Sequence, residues 1–268
     1  RREREWLSYV RRVYKILPGR QRMLHATRAI LTGSQHTASE IPAGFAEKVI
    51  WLPENAINPA RFNRVSAQDI DGPLRACFIG RLVPYKGADM AIEAAAPLLA
   101  DGRLTLDIIG DGPMRSDLEA QVKAQGLESA VVFHGNLKHQ NVQDVASASN
   151  LMIFPSIREF GGGVVLEALA LGVVPIVVDY GGPGELVIPD IGYKVPLGSR
   201  TEIIVALTEI LDALVADPHD LPAMSARGRQ YIQNHFTWSA KAHKINEVYR
   251  WILGQRETRP DFRIPEVK

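Results

Sequence analysis

From Ala29 onward, short apolar runs alternate with segments whose apolar residues recur every three to four positions. Residues 30–32, 49–52, 75–79, 104–109, 131–133, 151–154 and 174–178 are short, apolar and bounded by turn residues, which predicts strands. Residues 89–99, 115–125, 141–148 and 164–171 carry the helical period between them. Strands alternating with helices predict an α/β fold, a Rossmann-like doubly wound parallel sheet covered on both faces. After Gly198 the pattern turns helical over residues 201–215, 221–235 and 239–253, and residues 256–268 read as a polar extended tail. Residues 1–17 read as an amphipathic helix, with Trp6, Val10, Val13, Tyr14 and Leu17 on one stripe and arginines between them, stopped by Pro18-Gly19. A basic helix of this kind can lie peripherally on an anionic membrane or dock on a neighbouring domain, and the stripe is the same for both.

Ligands on a parallel sheet bind beyond the carboxyl ends of its strands. Polar, glycine-bearing loops follow the strand candidates there: Gly80-Arg81, Gly110-Asp111-Gly112-Pro113, Gly135, residues 155–163, and Gly181-Gly182-Pro183-Gly184. The richest is Arg158-Glu159-Phe160-Gly161-Gly162-Gly163-Val164, which runs on to Glu167 in a helical segment. Bare glycine backbone lets a ligand approach, and the first amides of a helix point outward at an anion. Glu159 before that turn and Glu167 inside the helix suit the hydroxyls of a sugar and a ribose on either side of a diphosphate. Glu167 stands among Leu166, Ala168 and Leu169, and a buried carboxylate needs partners; ribose, backbone amides or an arginine would each serve.

Arg81 and Lys86, five apart on one loop, can both reach a diphosphate. Taken alone they read equally as solvated loop cations. The loop has no Walker pattern. Gly110-Asp111-Gly112-Pro113 reads as turn chemistry, with Asp111 capping the next helix. His134 reads as a packed or hydrogen-bonded histidine rather than a catalyst.

Composition narrows the classes further. Of 268 residues, 46% are hydrophobic and 23% charged, and the formal net charge of +1 gives no electrostatic case for nucleic acid. The one cysteine, Cys77, sits in an apolar run and is expected to be a buried thiol, with no disulfide framework. Neither His-x-x-x-His nor a Cys/His cluster suggests a metal site, and no Gly-x-Ser-x-Gly elbow suggests a hydrolase. No apolar run is long enough to span a bilayer, and a cytoplasmic location is expected.

In their order along the chain, these motifs resemble the donor-binding C-terminal half of retaining GT-B glycosyltransferases of the family-4 group. The matching pieces are Phe78-Ile79-Gly80-Arg81 with Lys86-Gly87, Ile109 to Pro113, Val132-Phe133-His134-Gly135, Pro155-Ser156, Glu159 to Glu167 with its Glu-x7-Glu spacing, and Gly181-Gly182. They spread over about residues 30–249. The resemblance implies a hexose-type transferase using a UDP- or GDP-sugar, with no cofactor and no metal. It assigns the diphosphate to Arg81 and Lys86, with Gly80 also substrate-binding, the ribose to Glu167, and the transferred sugar to Glu159 with the backbone of Gly161, Gly162, Gly163 and Val164. The base would rest against the backbone from Gly135 to Leu137. It also implies a trailing remnant of an N-terminal acceptor domain over residues 1–45, a donor domain over 46–238, and a crossover helix and tail over 239–268. The rest of that acceptor domain, or an acceptor-binding partner, would be needed for turnover. A non-catalytic nucleotide-sugar module and a GT-B sugar-nucleotide epimerase are the competing functions.

Two positions depart from the family pattern. Glu-Gly-Phe-Gly appears as Glu159-Phe160-Gly161-Gly162, which moves the aromatic one place. Pro53-Glu54-Asn55-Ala56-Ile57 stands where many members carry an Asn-Gly turn.

Overall fold

The computed structural model describes residues 18–62 and 64–263, so the helix expected over residues 1–17 lies outside the described residues. The chain forms two compact units, one of residues up to Leu52 together with those from His243, the other of residues 53–242.

In the first unit, α1 (Pro18–Ala26), β1 (Ile30–Thr32), α2 (Gln35–Ala38) and β2 (Val49–Trp51) follow one another, and β1 pairs parallel with β2. Pro18 is the first described residue and is already helical, at the start of α1 as described. Lys48 Nζ donates to the Leu24 and His25 carbonyls at 2.9 Å each, a cation placed on the carboxyl end of α1. The polar tail is tied down where Arg259 Nη1 donates to the carbonyls of Ala46 and Val49 at 3.0 and 3.1 Å.

The second unit is built on β3 (Leu74–Ile79), β4 (Leu104–Ile109), β5 (Val131–Gly135), β6 (Leu151–Phe154), β7 (Val174–Val178) and β8 (Tyr193–Val195). All six run parallel, in the order β5-β4-β3-β6-β7-β8. That is the doubly wound order, reversing direction between β3 and β6. Every residue of β6 and β7 is buried, which explains their uninterrupted apolar runs. β8 escaped the sequence reading because three residues carry no pattern.

The covering helices are α3 (Ala88–Ala100), α4 (Arg115–Ala124), α5 (His139–Ala146), α6 (Gly163–Ala170), α7 (Gly181–Leu186), α8 (Arg200–Ala216), α9 (Leu221–His235) and α10 (Trp238–Ile252), the last running from this unit into the first. A capping box starts α8: Ser199 Oγ accepts from Glu202 N at 3.3 Å while Glu202 Oε2 accepts from Ser199 N at 2.7 Å. Its Ile203, Leu207, Leu211 and Leu214 are spaced three and four apart and buried as one face.

Two local expectations are corrected. Gly181 to Gly184 is not an open loop but the first part of α7. Asp111 does not cap α4, which begins at Arg115; its carboxylate accepts from Gly112 N at 2.7 Å and holds the turn itself. Cys77 is buried as expected, and burial pushes its thiol up to about 12.

Beneath the amino ends of β3, β6 and β7 lies a polar network. Gln68 Nε2 donates to the carbonyls of Gly172 and Asn150 at 2.8 and 3.2 Å. Asn150 Nδ2 donates to Asp69 O at 2.9 Å, and its Oδ1 accepts from Arg75 N at the same distance. Gln68 has φ of 49°, a left-handed conformation that a non-glycine residue keeps only when its surroundings hold it there.

Candidate functional site

The sheet opens where it reverses. β3 and β6 share only two paired positions, Ala76 with Leu151 and Cys77 with Met152, whereas β3 and β4 share six. Beyond those two rungs the loops that leave β3 and β6 face each other, the place where doubly wound sheets form a crevice.

Tyr85 stitches the two loops together: its carbonyl accepts from Ile157 N at 3.0 Å and from Ser156 Oγ at 3.3 Å. The neighbouring Lys86 reaches across and forms an ion pair with Glu159 through Nζ and Oε2. Its ammonium also stands 5.1 Å from the centroid of the Phe154 ring. The two side chains are only 17% and 19% exposed, so removing one partner leaves a poorly solvated charge on the other.

Past Glu159 the chain turns sharply into α6. Gly162 makes the bend at φ of 62°, a conformation that costs a side-chain-bearing residue about 1–2 kcal/mol. The amides of Gly163 and Val164, in the first turn of α6, have no acceptor among the described residues. Phe160, the displaced aromatic, is 60% exposed and so fills no pocket.

Glu167 lies one turn further along α6. His139 Nε2 stands 3.4 Å from its Oε1, and Gln143 Nε2 stands 3.2 Å from His139 Nδ1. The three side chains form a relay that runs from Gln143 through His139 to Glu167. Sequence reasoning missed His139 and Gln143. Their one signal was position: His139 opens the helix two residues after Leu137.

On the other side of β3, a cavity of 420 Å³ is lined by Gly80, Arg81, Gly110, Asp111, Asn136 and Leu137 among others. Arg81 is exposed and makes no ion pair among the described residues. The residues singled out from sequence therefore form two neighbouring groups. Lys86, Glu159, Gly161, Gly162, Gly163 and Val164 gather at the reversal, while Gly80, Arg81 and Leu137 line the cavity. Glu167 joins them through the start of α5. His134 is taken up by Asp107 of the adjacent strand, Nε2 to Oδ1 2.6 Å, which fits its packed reading.

Among the described residues there is no cluster of His, Cys, Asp or Glu arranged to hold a metal, and no helix is long and apolar enough to cross a membrane.

Comparison with known proteins gives the lineage. The family model described as "Glycosyl transferases group 1" matches residues 60–230. The 2-deoxystreptamine glucosyltransferase of Streptomyces kanamyceticus is 29% identical over 251 residues, covering 87% of this chain and 62% of that protein. The GDP-mannose-dependent monoacylated alpha-(1-6)-phosphatidylinositol monomannoside mannosyltransferase of Corynebacterium glutamicum is 30% identical, covering 81% and 57%. The chain thus spans about three fifths of the length of these two curated relatives. Among solved structures, Anabaena HepE in complex with UDP has a TM-score of 0.70 at 22% identity, covering 84% of this chain and 64% of that one. At that identity the likeness shows the fold, with its Rossmann-like parallel sheet.

Proposed function

This chain belongs to the glycosyl transferases group 1 family, and on that premise we propose that its crevice binds a UDP- or GDP-hexose as donor for a retaining transfer of the sugar. The observation that carries this reading is the meeting of Lys86 with Glu159 at the strand reversal, beside two free helix-start amides. A cation and outward-pointing amides suit a diphosphate, and a carboxylate beside them suits sugar hydroxyls. The UDP bound to HepE and the GDP-mannose dependence of the Corynebacterium relative support a nucleotide diphosphate of that class.

In this reading Arg81 and Lys86 hold the diphosphate from opposite sides of the loop after β3, with Gly80 leaving room for it. Glu167, oriented by His139, accepts hydrogen bonds from the ribose hydroxyls, and the base rests against the backbone near Leu137. Glu159 orients the transferred sugar with the amides of Gly161 to Val164. As the glycosidic bond lengthens, negative charge grows on the diphosphate. Two cations and fixed amide dipoles stabilise that charge in place, without a metal. On the retaining face the acceptor approaches from the side the nucleotide leaves, and a donor phosphate oxygen takes its proton. Lys86 then exchanges part of its contact with Glu159 for the phosphate, which frees that carboxylate for the sugar.

Calorimetric titration with UDP, GDP and ADP and with UDP-glucose and GDP-mannose tests the reading. Binding by UDP or GDP that disappears in the double variant Arg81→Gln/Lys86→Gln is expected. Undiminished binding by that variant would falsify the diphosphate assignment.

A further inference from the structure

The two departures from the family pattern meet at one point in the structure. A methyl group built on Gly161 would collide with Glu54 Oε1 and with the Asn55 side-chain nitrogen, and one on Gly163 would stand 3.3 Å from the same nitrogen. The space that a side chain at position 161 would fill is therefore occupied by Glu54 and Asn55. Their backbone is held in place. Ile57 N donates to Phe236 O at 2.8 Å, Trp238 N donates back to Ile57 O at 3.1 Å, and Lys241 Nζ reaches Asn55 O at 3.4 Å.

Among the described residues the Glu54 carboxylate is exposed and forms no hydrogen bond or ion pair. Lys86, the cation of this crevice, is already committed to Glu159. An acceptor-only group thus stands against the glycine bend, beside Gly161, with its capacity unused. With glycine at position 161 and a carboxylate beside it, this wall can accept hydrogen bonds.

We propose that Glu54 and Asn55 form one wall of the transferred-sugar subsite, and that Glu54 accepts a hydrogen bond from a donor substituent of that sugar. This rests on the donor-site reading above. It makes Glu54 a specificity determinant that acts on the sugar and not on the nucleotide.

Titration of UDP against UDP-glucose, and of GDP against GDP-mannose, separates the two. Glu54→Ala is expected to weaken the sugar nucleotide about tenfold, as for one lost hydrogen bond to a charged group. It should leave the bare diphosphate within twofold, with an unchanged melting temperature. Gly161→Ala should weaken the sugar nucleotide as well, and the double variant should lose less than the product of the two effects, because removing Glu54 removes part of the clash. Equal loss on both ligands, no loss on the sugar nucleotide, or strictly multiplicative effects would each overturn the proposal. If wild type binds neither diphosphate, the donor-site reading falls with it; if it binds them and Glu54→Ala changes nothing, only the subsite assignment falls.

Discussion

At the amino ends of β3, β6 and β7, the Gln68 and Asn150 side chains are buried and spend their hydrogen bonds on Gly172, Asp69 and Arg75 of the same unit. At the carboxyl ends of β3 and β6, Arg81 has no ion pair and the amides of Gly163 and Val164 have no acceptor among the described residues. One sheet therefore treats polar groups in opposite ways at its two ends. Groups satisfied within the protein contribute to stability, and groups left open contribute to binding.

Five experiments break or sharpen this contrast. The largest effect is expected for Arg81→Gln/Lys86→Gln, at least about 100-fold in UDP or GDP affinity, since each lost charge-assisted bond is worth about 1.5–3 kcal/mol. Arg81→Gln alone should leave the melting temperature unchanged, because that side chain is exposed and unpaired. At the other end, Gln68→Ala should lower the free energy of unfolding in urea by about 2–4 kcal/mol, because it strands buried carbonyls, yet leave nucleotide affinity untouched. A comparable loss of affinity there would erase the distinction between the two ends. Smaller again, Glu167→Gln should weaken the nucleoside diphosphate about tenfold and leave inorganic pyrophosphate unaffected in a competition assay.

The smallest effect concerns Cys77, buried in mid-strand with its thiol pushed up to about 12. It should resist maleimide at pH 8 while the chain is folded and react once urea unfolds it. The sign of its pH dependence follows. The unfolded thiol loses its proton near pH 9.0 while the folded one keeps it, so this contribution to stability is complete below that pH and declines as pH rises from there to about 12. Flat stability across that range would show that Cys77 is not sealed.

Much of the fold was legible because its strands are buried on both faces. Residues 151–154 and 174–178 were apolar without interruption, residues 104–109 were apolar but for Thr105 and Asp107, and each became a strand over the same residues. β8 was too short to show a period. Within the candidate site, glycines and charges at loop positions pointed to the carboxyl edge of the sheet, where the structure gathers them. Lys86 and Glu159 could be named, but not their mutual ion pair, which depends on how two loops separated by about seventy residues are aimed. His139 and Gln143 were invisible for the same reason. Their relation to Glu167 crosses from one helix to another, and no local spacing encodes it.

The carbonyl of Tyr85 carries a consequence for how a ligand is received. Because it accepts two donors from the facing loop, the mouth of the crevice is drawn together by the protein's own hydrogen bonds. The entropy of bringing those loops together is charged to folding rather than to association, so an arriving molecule needs to quiet little more than a few side chains, at about 0.5–1.5 kcal/mol each. Weakening that double stitch, by Ser156→Ala for example, would shift part of the ordering cost onto the encounter itself and should surface as a slower association rate with the chemistry of the pocket intact.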